Sequence, residues 1–367
     1  MRPKNQTSSK PGLWETGGEL ALLARIRARA AQSAGAGVRL GIGDDCALLG
    51  VGAGEELAVT TDLSIAGRHF RLDWHPPEVV GHRTLARGLS DLAAMGARPV
   101  AAFLSLGLPR ELVRCEKGRG KSWVDRFYDG FLALAELHQT PLAGGDLAES
   151  PVAVADIVLV GAVRHGRALL RSGARAGDWL YVTGKLGGAA AGLAGLAAEA
   201  EKHASGAKAL IHPADLTRGL KPTPPSGSSF SATLQPHWYP QPRIAQGLLL
   251  ARRGLPTAAL DISDGLSTDL NRLCEESGVA AEVDAAALPI FPGATLEQAL
   301  HGGEDYELLF TSAPGTRIPR AIAGVAVTRI GRVINASGRR HARRPQATLI
   351  TAQGAQPLEA RGWEHFS

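Results

Sequence analysis

The chain has 367 residues, 44% of them hydrophobic and 20% charged, with a formal net charge of +5. That length is too great for one ordinary core, so about two domains are expected, and the composition is that of a soluble globular chain, not a disordered or fibrous one. No run of about 18 apolar residues exists, which argues against a membrane span. The polar start, "MRPKNQTSSKPG", lacks the apolar segment of a secretion signal. Basic residues are scattered except for "RRHARR" at 339–344, with no aromatic-rich motif beside it, so no nucleic acid is expected as a partner. Cys46, Cys115 and Cys274 lack CxxC spacing and suit a reduced, cytoplasmic setting.

After a polar tail at 1–16, residues 17–33 predict a helix with Leu20, Leu23 and Ile26 on one stripe. Strands are expected at 38–49, 57–61 and 100–107. Between the last two, "PEVVGHRTLARGLSDLAAMGARP" predicts a helix closed by Gly96 and Pro99. A helix around 122–138 leads through "TPLAGGD" to the strand "VAVADIVLVGAV". A second half begins near Arg167 with strand, Gly-rich turn and helix in "GDWLYVTGKLGGAAAGLAGLAAEA". Residues 201–237, containing "KPTPPSGSSFSATLQP", read as a Pro/Ser-rich insertion. Then come a helix at 242–253, the strand "TAALDIS", a helix from about Ser267, the strand "AAEVDAA", a helix at 295–301, and the strands "YELLFTS" and "VTRIGRVI". Strands with covering helices give an α/β or α+β class with domains at 17–166 and 167–367.

Acidic residues recur beside Gly or hydroxyl residues where apolar runs end. "VRLGIGDDCALLG" sets Asp44 and Asp45 inside an apparently buried strand, and two adjacent carboxylates are costly there unless their charge is cancelled. "TTD" (Thr60, Thr61, Asp62), "LSD" (Asp91), "GGD" (Asp146), "LDISDG" (Asp261, Ser263, Asp264) and "GGEDYE" (Glu304, Asp305) repeat the theme. One such Asp is most often a turn residue or helix cap. Together they suit a hard divalent cation such as Mg²⁺, which takes carboxylate and hydroxyl oxygens. Familiar nucleotide loops are missing: Gly120-Lys121-Ser122 has Cys115 where a P-loop needs Gly, and Gly184-Lys185 is followed by Leu186.

"LGIGDDCALL", "TTDLSIAGRHF", "LSDLAAMGARP", "AGGDL", "GRALLRSGARAGDWLYVTG", "LDISDGLSTDL", "GGEDYELLFT" and "IGRV", in that order over about 17–366, resemble the thiamine-monophosphate kinase family. That family belongs to the ATP-binding superfamily of aminoimidazole-ribonucleotide and selenophosphate synthetases. The resemblance implies a two-domain fold of that type, with mixed sheets covered by helices and N-terminal strands forming a barrel in a homodimer. It also implies transfer of the ATP γ-phosphoryl group to thiamine monophosphate, with several Mg²⁺ ions. By the same resemblance Asp45, Thr60, Thr61, Asp62, Asp91, Asp146, Asp261 and Asp264 match metal ligands, with Asp44 assisting through a water. Tyr128, Gly145, Asp146, Arg171 and Ser263 match ATP contacts, and His69, Glu304 and Trp363 match positions that hold thiamine monophosphate.

No general base is implied, because the acceptor is already an anionic phosphate and the obstacle is repulsion between phosphates. Arg171 would add a planar fork to phosphate oxygens. Two alternatives stay open: another ATP-dependent enzyme of the superfamily, or a non-catalytic sensor of Mg-nucleotide or thiamine phosphates. A selenophosphate synthetase would need a reactive Cys near its N-terminus, and residues 1–45 hold none.

Overall fold

The computed structural model describes residues 19–31, 37–42, 46–114, 121–206, 228–336 and 347–363. The first half builds α1 (Glu19–Ala30), β1 (Val38–Leu40), β2 (Leu48–Leu49), β3 (Glu55–Ile65), α2 (Pro77–Ala94), β4 (Arg98–Leu108), α3 (Arg110–Val113), α4 (Trp123–Leu137), β5 (Leu142–Glu149) and β6 (Val154–Arg164). Its four-stranded sheet has the order β3-β6-β4-β5, antiparallel except for the β4–β5 pair. One face is covered by α2, which packs on α4.

The second half builds β7 (Trp179–Thr183), α5 (Gly188–Gly206), α6 (Ser228–Trp238), α7 (Ile244–Arg253), β8 (Ala258–Ile262), α8 (Leu266–Ser277), β9 (Ala280–Asp284), α9 (Leu296–His301), β10 (Glu307–Ser312), β11 (Ala321–Ile322), β12 (Val325–Ile334), β13 (Ala347–Thr351) and β14 (Gly354–Pro357). Its eight-stranded sheet runs β14-β13-β9-β12-β7-β10-β8, with β11 paired to β12 off that path. The β13–β9 pair is parallel and the other pairs are antiparallel.

The halves meet around α2. Of its 18 residues only Glu78, Arg87 and Asp91 are not buried. One core joins Leu85, Leu89, Leu104 and Phe131 of the first half to Ile244, Leu250, Leu308 and Phe310 of the second. A second core, with Leu180, Leu260, Leu270 and Leu349, lies within the second half. Burial of large apolar side chains at about 1.5–3 kcal/mol each makes this junction stiff.

The expected elements needed several corrections. Residues 38–49 are not one buried strand but two short ones paired as β1 and β2, with Leu40 38% and Leu48 55% exposed. Asp44 and Asp45 fall outside the described residues. Among the described side chains the buried stripe of α1 is Leu22, Ile26 and Ala30, with Leu23 only partly buried, while Leu20 falls outside them; four-residue spacing keeps all three on one side. β3 runs well past 61, so the "TTD" triplet lies inside a strand and not in a loop. "LAGGDLAE" is itself a strand, β5, in spite of its glycines. Helix α6 occupies part of the expected insertion, of which 207–227 is not described. The terminal pair β13–β14 carried no expectation. Ser122, in the P-loop lookalike, caps α4: its Oγ accepts the Asp125 N–H at 3.2 Å while its own N–H donates to Asp125 Oδ2 at 3.2 Å.

Candidate active site

Period-two alternation in β3 turns Thr60, Asp62 and Ser64 toward α2, and Leu57, Val59, Thr61 and Leu63 to the opposite, exposed face. On α2, Arg83, Arg87, Ser90 and Asp91 recur at i, i+4, i+7 and i+8, which places them on one side of the helix. The stripe meets β3 and the end of β8. Thr60 Oγ1 donates to Asp91 Oδ2. Ser90 Oγ donates to Asp261 Oδ2 at 2.6 Å. Arg87 stands 3.7 Å from Asp62 Oδ1 and donates to Ser64 Oγ at 3.2 Å.

The charges at this junction do not balance locally. Burial, with Asp91 next in importance, pushes the Asp62 carboxyl up to about 6; Arg87 pulls the other way, while Asp156 and Asp264 add to the rise. Burial also raises Asp91, against its Thr60 hydrogen bond and the pull of Arg171 and Arg87. Asp261 is 3% exposed, and burial followed by the Asp91 charge pushes it well above the usual carboxylate range. Carboxylates held this way favour either a proton or a cation.

The loop after β8 is organised by Asp269. Its Oδ2 accepts the N–H groups of Ser263, Asp264 and Gly265 at 3.1, 3.0 and 3.1 Å, and Arg272 donates to its Oδ1 at 3.0 Å. Gly265 has φ +113, and a Cβ there would lie 2.9 Å from the His301 carbonyl, so the turn requires glycine. Asp264 is held by Arg272 through a side-chain hydrogen bond and accepts the backbone N–H of Trp363 at 3.2 Å. That backbone contact sets Trp363, half exposed, beside Asp264.

Glu304 lies across the junction. Arg83 Nη2 donates to both its carboxylate oxygens at 2.8 Å, and to the His69 carbonyl at 3.4 Å. The structure therefore gathers Thr60, Asp62, Asp91, Asp261, Asp264, Ser263, Arg171, Trp363, Glu304 and His69 around one junction. Other expected residues stand apart. Thr61 is on the outer face of β3. Asp146 is exposed on edge strand β5, in the cross-strand row Leu63, Asp156, Ser105, Asp146. Gly145 beside it has φ +151, and a Cβ there would sit 1.9 Å from the Leu104 carbonyl. Tyr128 is 3% exposed and packs edge-on against Phe127 and Phe131, so it is a core residue here and not a surface contact.

Among the described residues, no three His, Cys, Asp or Glu side chains converge tightly enough to hold a metal ion. The donor chemistry nevertheless suits Mg²⁺: carboxylates and a threonine hydroxyl whose charge the protein leaves uncancelled. Arg83, Arg87, Ser90, Asp156 and Asp269 were missed from sequence. The stripe on α2 was the available signal for the first three.

The model of AIR synthase related proteins matches through its N-terminal domain at residues 43–167 and its C-terminal domain at 175–342. A thiamine-monophosphate kinase of Salmonella typhimurium is 35% identical over 358 residues, 95% of this chain and 98% of that protein. One from Bacillus subtilis is 32% identical over 343 residues, 90% and 94%. This chain belongs to the thiamine-monophosphate kinase family. The crystal structure of the Stenotrophomonas maltophilia thiamine-monophosphate kinase superposes with TM-score 0.68 at 36% identity, covering 88% of this chain and 95% of that one. A structure described as AaThiL complexed with AMPPCP and TMP gives 0.66 at 31%, covering 95% and 97%. A hydrogenase maturation protein, HypE, bound to ATP superposes with 0.61 at 17% identity, covering 88% and 89%, a likeness of fold alone.

Proposed function

We propose that this chain transfers the γ-phosphoryl group of ATP to thiamine monophosphate, giving thiamine diphosphate and ADP, with Mg²⁺. The observation that carries the reading is the group of buried, mutually repelling carboxylates at the junction of the two halves, in a chain alignable end to end with kinases of this specificity. An anionic acceptor and an anionic donor repel, so the protein's task is positioning and cancellation of charge.

Asp62, Asp91, Asp261, Asp264 and Thr60 would hold Mg²⁺; the family pattern adds Asp45, which lies outside the described residues, and Thr61 and Asp146, which stand apart from this group. Bound Mg²⁺ would offset the charge of the phosphate oxygens. Ser90 orients Asp261, and Thr60 orients Asp91. Arg171, whose charge reaches Asp91 and Asp261, supplies a fork for phosphate oxygens beside Ser263, with Gly145, which stands apart on β5, added from the family pattern. Tyr128, on the buried side of α4, contributes core packing. Glu304 faces the cationic thiazolium ring of thiamine, and Trp363 offers an aromatic surface for its rings. Burial works against the Glu304 charge, but Arg83 and His237 beside it hold its carboxyl down to about 2, so it stays anionic.

Two halves, 17–166 and 167–367, serve as the domains. A second copy covers the outer face of edge strand β3, where Leu57, Val59 and Leu63 are 53%, 61% and 47% exposed; a monomer mass in light scattering at micromolar concentration would oppose this. Among the described residues no helix is long and apolar enough to cross a membrane, which agrees with work in the cytoplasm. The functional test is chromatography after incubation with ATP, Mg²⁺ and thiamine monophosphate. Thiamine diphosphate and ADP appearing together support the kinase. ADP without thiamine diphosphate moves the chain to another superfamily reaction, and binding without ADP makes it a sensor.

A further inference from the structure

Behind Glu304 lies a chain of buried side chains in hydrogen-bond contact. Arg83, with a side chain only 7% exposed, donates through Nη1 to the His237 carbonyl and, at 3.2 Å, to His237 Nδ1. Arginine can only donate, so Nδ1 of His237 accepts and a neutral ring carries its proton on Nε2. Nε2 of that ring lies 3.0 Å from His75 Nε2. His75 Nδ1 in turn lies 3.1 Å from both the Arg71 carbonyl and the Arg71 N–H, so the Arg71 backbone anchors that ring in either tautomer. Both rings are buried, His237 to 2% and His75 to 4% exposure. The Arg83 fork is thus held from behind by His237, whose ring is buttressed by a His75 anchored on the Arg71 backbone.

What Arg83 touches at its other end gives these contacts a meaning beyond packing. Its Nη2 bonds both oxygens of Glu304 and reaches the His69 carbonyl. These are the two residues at the junction, besides Trp363, that the family pattern assigns to the acceptor. Glu304 also sits in a strained turn, with φ +66, fixed by its N–H to the Ser263 carbonyl at 2.8 Å. A carboxylate on such a turn needs a partner to choose one rotamer. Arg83 comes from α2, Glu304 from the segment before β10, and His237 from the end of α6. These contacts therefore link three elements drawn from both halves.

We propose that Arg83 is a positioning residue for the acceptor substrate, setting Glu304 and His69 against thiamine monophosphate, with His237 and His75 fixing the orientation of its guanidinium. This rests on the reading that Glu304 and His69 hold the acceptor. It separates Arg83 from Asp91, two turns further along the same helix, which would serve the nucleotide and metal.

The test is steady-state kinetics of the full chain with each substrate varied in turn. Arg83→Lys keeps the charge but cannot bond both carboxylate oxygens and His237 at once. It is expected to raise KM for thiamine monophosphate by roughly tenfold or more, as for loss of one charge-assisted hydrogen bond. KM for ATP should change by less than about twofold. His237→Leu, which removes the side-chain acceptor at Nδ1 and serves if Arg83→Lys fails to fold, should shift the same constant. His237→Gln, which restores an acceptor, should return it toward the wild-type value. Equal rises in both KM values, or an unchanged KM for thiamine monophosphate, would overturn the proposal. Glu304→Gln separates the two layers. If it raises that KM while Arg83→Lys does not, positioning by Arg83 fails alone; if Glu304→Gln has no effect, the assignment of Glu304 to the acceptor fails, and the proposal with it.

Discussion

Two charged regions lie two helical turns apart on α2, and they treat buried charge in opposite ways. At Arg83 the positive charge is matched inside the protein: Glu304 takes two hydrogen bonds, His237 and the His69 carbonyl take the rest, and the Glu304 carboxyl is held down to about 2. At Asp91 the negative charges outnumber what faces them, and Asp62 is pushed up to about 6. The first arrangement is balanced in charge before any ligand arrives and so holds Glu304 ready for the acceptor. The second is balanced only by something that arrives, which on the proposed reading is a metal-bound nucleotide. Breaking each region should therefore have opposite consequences for stability and turnover.

The largest expected effect comes from Arg83→Leu. It strands Glu304 beside a buried apolar side chain and should lower unfolding free energy by about 3–5 kcal/mol. Urea denaturation of the purified chain would read it, and a loss below about 1 kcal/mol would mean the pair is solvated in practice. Asp62→Asn removes a repelling charge without changing shape. It should leave the melting temperature equal or higher while reducing kcat by roughly 100-fold or more, on the scale of losing one preorganised electrostatic contact. A folded variant with near-normal turnover would remove Asp62 from the site.

A smaller effect is expected at His82, whose Nε2 donates to the Pro240 carbonyl at 2.8 Å and ties α2 to the segment before α7. Burial lowers this imidazole to about 4. Below about pH 6.5 the unfolded chain takes up a proton that the folded chain refuses until about pH 4, so this histidine's contribution to stability falls across that window. His82→Gln should cost about 1 kcal/mol at pH 7.5 through the altered hydrogen bond. The deficit should shrink as pH falls from 6.5 toward 4, because the variant has no proton to refuse. A constant deficit across that range, measured by denaturant titration at several pH values, would show that His82 titrates normally.

The helices and most strands were legible because their apolar periods are long and their ends carry Pro, Gly or capping residues: α2 opens on Pro77 and α9 on Thr295, whose Oγ accepts the Gln298 N–H at 3.2 Å. Misreadings occurred where local pattern and tertiary setting disagree. β1 and β2 look buried by composition yet lie on an exposed hairpin. β5 contains Gly145 because the β4 backbone at Leu104 passes too close for a Cβ, and a Cβ at Gly144 would meet the Phe103 ring, facts no local pattern contains.

In the site, the acidic motifs named Asp62, Asp91, Asp261 and Asp264 before any contact was visible. What the motifs could not supply was the face each residue occupies. Thr60 and Thr61 are neighbours in sequence but lie on opposite sides of β3, and Tyr128 belongs to a helix whose inner face is aromatic core. Arg83 and His237, 154 residues apart, come together only through the packing of α2 against α6.

The most direct test of the contrast between cancelled and uncancelled charge is thermal melting with and without Mg²⁺ and ATP, for wild type beside Asp62→Asn. The wild type should gain several degrees with Mg²⁺ and ATP together, since a ligand that binds only the folded chain stabilises it by mass action, and gain little with either alone. Asp62→Asn should start at or above the wild-type melting temperature and gain almost nothing. An equal gain in both proteins would contradict the claim that the uncancelled charge at this junction exists to receive the metal-bound nucleotide.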